Sequence, residues 1–185
     1  MNNTTVNQPI PPYETEASLW EGAYCFLLEL RELRGLGLRR PDHEEAERAI
    51  SRFCHSLRQS PRWLSLPRIQ HEQHLSDPSV VIVITALACH AHMPKIIPTI
   101  QQVGVLAFGF DPLSNERFRQ DVQNEKSVGK LIRIEHRQHY RIIHPSEHLL
   151  MLIGNSKIPI DAVENIQKLP SAPISRDINF KRGRK

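Results

Sequence analysis

The 185-residue sequence predicts a mainly α protein with a small β-hairpin. Three observations predict it. Apolar residues recur at helical spacing through residues 15–60. The capped run "SDPSVVIVITALACHAHMP" is apolar on nearly every side and long for a strand. Two short β-type runs, "KLIRIE" and "YRIIH", flank the polar tip "HRQH".

The elements follow in order. Leu19, Trp20, Ala23, Tyr24, Leu27, Leu28 and Leu30 form the apolar side of a first helix of about 18 residues, with Glu29, Arg31, Glu32 and Arg34 between them. Gly35 and Gly37 stop it. A second helix starts at Asp42, an N-cap followed by Glu44 and Glu45 where the helix dipole favours anions. Its stripe is Ala46, Ala49, Ile50, Phe53, Cys54 and Leu57, and Pro61 ends it. "RWLSLPRIQHEQHL" reads as a connector anchored by Trp63, Leu64 and Leu66. Ser76 or Asp77 caps the apolar run, with Pro78 in its first turn. Ile100, Val103, Leu106 and Ala107 mark the next helix; Ser114 caps another with Phe118 and Val122 inward. After the hairpin, Pro145 and Ser146 open a short apolar helix that Gly154 ends, and "PIDAVENIQKLP" supplies one more.

Composition fits a folded, water-soluble chain: 39% hydrophobic and 24% charged. The formal charge of +4 permits a polyanionic partner without requiring one. The opening "MNNTTVNQPIPPYETE" lacks the basic start and apolar run of a signal peptide, and "VVIVITALAC" is too short to span a bilayer. Cys25, Cys54 and Cys89 are widely spaced and lie in apolar stripes, which predicts buried or half-buried thiols in a reducing, cytoplasmic setting. Trp20 and Trp63 read as helix-packing residues or, alternatively, a partner surface.

Catalytic patterns are missing. The histidine pairs His71/His74, His90/His92, His136/His139 and His144/His148 never form HExxH, and the one cysteine beside a pair, Cys89 next to His90, has poor ligand geometry on a helix. There is no G-x-S-x-G and no paired acid and base. The expectation is a non-catalytic protein with no cofactor and no metal.

The order helix, helix, helix, strand, tip, strand, helix, with the turn "GFDPLS" and the exit "VGKLIRI", resembles the winged helix-turn-helix over roughly residues 78–153. That resemblance implies a DNA-binding regulator or a subunit of a DNA-processing complex, with a recognition helix at 115–127 in the major groove and the hairpin tip beside it. Within it, Arg117, Arg119, Lys130, Arg133, Arg137 and Arg141 are the backbone-contact candidates. Asn115, Gln120, Gln123 and Asn124 are the base-reading ones, since Asn and Gln pair bidentately with adenine. Strand alternation leaves Arg133, Arg137 and Arg141 pointing away from the core as one donor set. Glu116, Asp121 and Glu125 offset the charge of the helix.

The same region, continued through "HLLMLIGNSKIPIDAVENIQKLP", also looks like the segment that precedes the ATPase module of some AAA+ proteins. No GxxxxGK[ST] is present to cradle phosphates. That likeness implies an adaptor or structural subunit whose hairpin meets protein. The division is a flexible arm (1–13), a helical N-terminal segment (14–66), a winged-helix-like domain (76–169) and a basic flexible tail (170–185). The expected partner is double-stranded DNA or another protein. Surplus apolar surface on the first helix suggests a homodimer.

Overall fold

The structure is a computed structural model that describes residues 10–37, 40–92, 99–109, 114–123, 128–136 and 141–154, without the side chains of 89, 91, 92, 114, 115 and 121–123. The expected last helix, the basic tail and the first nine residues of the arm lie outside the described residues.

Helix α1, Glu16–Leu33, starts where Thr15 and Ser18 exchange reciprocal capping bonds, each satisfying a backbone N–H that the first helical turn leaves orphaned. It buries Leu19, Trp20, Ala23, Tyr24, Phe26 and Leu30, and the chain turns away at Gly35 with φ +70°. Helix α2, His43–Gln59, is capped by Asp42, whose carboxylate accepts from the Glu45 amide at 3.0 Å. Its expected stripe is buried throughout. The two helices meet through Phe26 and Phe53, stacked at 4.2 Å and 3°, a pairing worth about 0.5–1.5 kcal/mol beyond simple burial.

The end of the expected arm is docked, not loose. Tyr13 is 8% exposed, tilts against Phe53, and its amide donates to Ser60 Oγ at 2.8 Å. Ser56 Oγ donates to the Pro11 carbonyl. Gly22 makes the fit possible, since a Cβ there would lie 2.4 Å from Tyr13 Cε1.

The expected connector after α2 is a helix, α3, Ser65–Glu72. Its cap comes from far along the chain. Glu16 accepts from the Ser65 amide at 2.6 Å, from Ser65 Oγ at 2.8 Å, and from the Trp20 indole N–H at 3.1 Å. Leu64 and Leu66 are buried as expected, but Trp63 is 64% exposed.

Helix α4, Asp77–His92, is capped by Ser76. Val80–Leu87 is buried on every side because α1 and α2 pack on α4 as do α5 and the hairpin. Helix α5, Ile100–Phe108, begins with a Thr99–Gln102 capping box and ends at Gly109, φ +82°. Arg34, 1% exposed, ties the N-terminal helices to this end. Its Nε donates to the Leu106 carbonyl at 3.2 Å and its Nη2 to Glu47 at 2.7 Å. A cation at the C-terminal carbonyls of α5 complements the helix dipole.

Next come α6, Ser114–Gln123, a 3₁₀ turn at Val128–Lys130, strands β1, Ile132–His136, and β2, Arg141–Pro145, and helix α7, Glu147–Ile153. The strands pair antiparallel with Ile134 opposite Ile143. Thr99 adds one antiparallel bridge to Ile142, so β2 lies between β1 and Thr99. One apolar cluster runs from Tyr13 to Ile153, with α4 shared by both halves. The architecture is mainly α with a small β-hairpin. Among the described residues, no helix is long and apolar enough to cross a membrane.

Candidate nucleic-acid interface

Packing fixes the candidate interface from behind. Phe118, 1% exposed, anchors α6 against α5 and the 3₁₀ turn. Glu116, Arg117, Arg119 and Gln120 are left exposed around it. Val128 and Leu131 are fully buried on either side of the turn, and this pushes Lys130 outward. Ser146 closes the base of the hairpin. Its Oγ donates to the Lys130 carbonyl at 2.6 Å, its amide donates to the Leu131 carbonyl, and the same Oγ caps α7 by accepting from the Leu149 amide. Three bonds from one serine hold Lys130 and the strand ends together. In the sequence Ser146 reads only as a helix start.

The register decides which strand residues share a face. Residues directly opposite across an antiparallel pair point the same way, and neighbours along a strand alternate. Arg133 lies opposite His144, and Arg141 lies opposite His136. One face therefore carries Arg133, Glu135, Ile142 and His144. The other carries Ile132, Ile134, Ile143 and, beyond the core at its far end, His136 and Arg141. The expected single donor set is corrected: Arg133 and Arg141 are both exposed but stand on opposite faces. Counting alternation within each strand missed this, because the parity between strands depends on the tip length.

On the Arg133 face, His144 Nε2 lies 3.2 Å from a Glu135 carboxylate oxygen. Asn124 and Arg137 lie outside the described residues, as do the side chains of Asn115 and Gln123. The candidate site residues with described side chains are Arg117, Arg119, Gln120, Lys130, Arg133 and Arg141, all exposed.

Charge pairing differs between the two halves. In the N-terminal helices, Arg34 meets Glu47, Arg48 meets Glu44 and Glu45, Arg52 meets Glu45, and Arg58 meets Asp77, at 2.6–2.8 Å. Hydrogen bonds from Arg52 and Arg48 hold the Glu45 carboxyl below its ordinary range. Among the described residues, Arg117, Arg119, Lys130, Arg133 and Arg141 have no such carboxylate partner.

Cys54 is buried as expected, and burial pushes its thiol well above the ordinary value. Cys25 is exposed instead, on the side of α1 away from its buried stripe. Of the expected apolar side of α1, Leu19, Trp20, Ala23, Tyr24 and Leu30 are buried within the chain, while Leu27 and Leu28 stay half-buried. Among the described residues, the exposed large apolar side chains are Trp63 and Met151. Among the described residues, no three His, Cys, Asp or Glu side chains converge as metal ligands. No protein-family model, curated protein or solved structure matches the chain.

Proposed function

We propose that roughly residues 78–153 work as a winged-helix unit that binds double-stranded DNA without catalysing a reaction, in a cytoplasmic regulator or a subunit of a DNA-processing complex. The order α4, Thr99 bridge, α5, α6, β1, β2 supports the reading, because the single Thr99–Ile142 bridge sits beside β2 where such a unit carries its third short strand. One observation carries it: five exposed cations on α6, the turn and the hairpin stand without a carboxylate partner among the described residues. Phosphate oxygens supply the missing partners, and counterion release drives the association. Base reading by Gln120 on α6 is secondary, since Glu116 beside it repels the backbone.

The two arginine faces rank the contacts. Arg133 shares its face with Glu135, whereas Arg141 stands beside His136 at the free end. A gel shift with mixed-sequence duplex at low salt tests the proposal. Arg141→Ala is expected to weaken binding several-fold and Arg133→Ala less. Absence of any shift for the unaltered protein at low salt refutes the proposal, since even non-specific binders associate there.

A second reading has its own observation. Trp63 and Met151 expose large apolar surface outside the candidate DNA-contact residues, which suits a protein-interaction adaptor in a larger assembly, one built around an AAA+ ATPase included. No DNA shift, together with altered solubility or association on Trp63→Ser, favours it.

A further inference from the structure

A half-open surface hollow of about 190 Å³ lies between the end of α2, the turn that follows it and α3, with Arg62, His71 and His74 exposed around it. Arg58, Arg62, Gln70, His71 and His74 line it beside apolar residues such as Leu57, and no carboxylate does. Arg58 is held at 2.6 Å by Asp77, which leaves Arg62 as the cation with no partner among the described residues.

Two features of this wall are costly for the fold. Gln70 is 6% exposed, and neither its amide nitrogen nor its amide oxygen has a partner among the described residues. Buried polar groups in this condition are uncommon and destabilising. His74 takes φ +49°, in the left-handed region where glycine is the ordinary residue. It closes α3 there, with its amide donating to the His71 carbonyl and that of Leu75 to the Gln70 carbonyl. An imidazole kept at a position where glycine would be easier suggests use of the ring.

We propose that the cavity binds a small phosphate-type oxyanion. Arg62, His71 and His74 supply N–H donors. Gln70, a lining residue with a buried unpartnered amide, offers Nε2 to donate to an oxyanion oxygen and Oε1 to accept from a P–OH group. Protonated phosphate offers both partners, which a simple halide does not. The volume is below the ~300 Å³ at which drug-sized ligands are commonly held, so the ligand is a phosphate group with few atoms attached. The proposal does not rest on DNA binding, because no residue of α6 or the hairpin lines the cavity.

Inorganic phosphate, titrated calorimetrically against chloride of equal ionic strength, is the test. The whole chain is expected to bind it saturably at millimolar concentration. Arg62→Ala and Gln70→Leu are each expected to weaken binding roughly tenfold. His74→Gly separates binding from folding: it should raise the unfolding midpoint by relieving the backbone while weakening phosphate binding. Saturable heat absent from the unaltered protein, or equal binding in Arg62→Ala and His74→Gly, overturns the proposal. A duplex gel shift distinguishes the phosphate source. Arg62→Ala is expected to leave it unchanged; a lost duplex shift without a phosphate heat assigns these cations to DNA backbone and likewise overturns the small-ligand site.

Discussion

Replacing Glu16 with alanine should destabilise the fold by about 3–5 kcal/mol, although the residue lies in the first turn of a helix where a surface glutamate usually matters little. The figure follows from what its carboxylate holds. Trp20 is fully buried and Ser65 is 1% exposed, so the indole N–H, the Ser65 amide and the Ser65 hydroxyl that donate to Glu16 are largely shielded from water that could replace it. Two of these donors cannot rotate away, and each costs about 1–3 kcal/mol when left buried and unmet. The α1 dipole adds about 0.3–1 kcal/mol. Glu16→Gln, which keeps one acceptor oxygen, should lose about 1–2 kcal/mol. Urea unfolding followed by circular dichroism at constant m-value reads these differences. The double variant with Trp20→Phe isolates the indole contact: the alanine cost should shrink by about 1–2 kcal/mol once the N–H is gone. A Glu16→Ala loss under about 1 kcal/mol refutes the capping of α3 from a distance, and strict additivity with Trp20→Phe refutes the indole contact.

Further outcomes follow from the same geometry. Cys25 should react rapidly with a thiol reagent in the native protein, and Cys25→Ser should remove that fast phase. Cys54→Ser should leave the fast phase unchanged, because burial and the Asp77 carbonyl at 3.9 Å keep this thiol protonated and covered. Glu45 is depressed by its arginine bonds, so its contribution to stability is present above the unfolded carboxyl pKa and is lost as pH falls through the folded one. Denaturant midpoints measured from about pH 5 down to pH 3 should therefore fall less steeply in Glu45→Gln than in the unaltered chain. An identical slope would remove Glu45 from the account.

Much of the fold is legible in the sequence because its signals are local. The Asp42 cap, the apolar stripe of α2, the all-round apolar α4 and the Gly154 stop each sit within one or two turns of the residues they control. The misses share a different cause. Helix α3 depends on a cap from Glu16, 49 residues away, so its own sequence reads as a connector. Arg34 looks like one more polar residue of α1 until α5 brings the Leu106 carbonyl to it. Trp63 looks like a core residue by type alone. At the candidate site, the residue types and their exposure were legible, but the grouping was not. Which side Arg133 and Arg141 take is set by pairing across the tip, and composition carries no information about that parity.

The central claim, that the exposed cations of α6, the turn and the hairpin grip a nucleic-acid backbone, is tested most directly by the salt dependence of duplex affinity. Three or four neutralised phosphates predict a slope of log affinity against log salt of roughly −3 to −4, shallower by about 1 in Arg141→Ala. A slope near zero, or one that Arg141→Ala and Arg119→Ala both leave unchanged, contradicts the account.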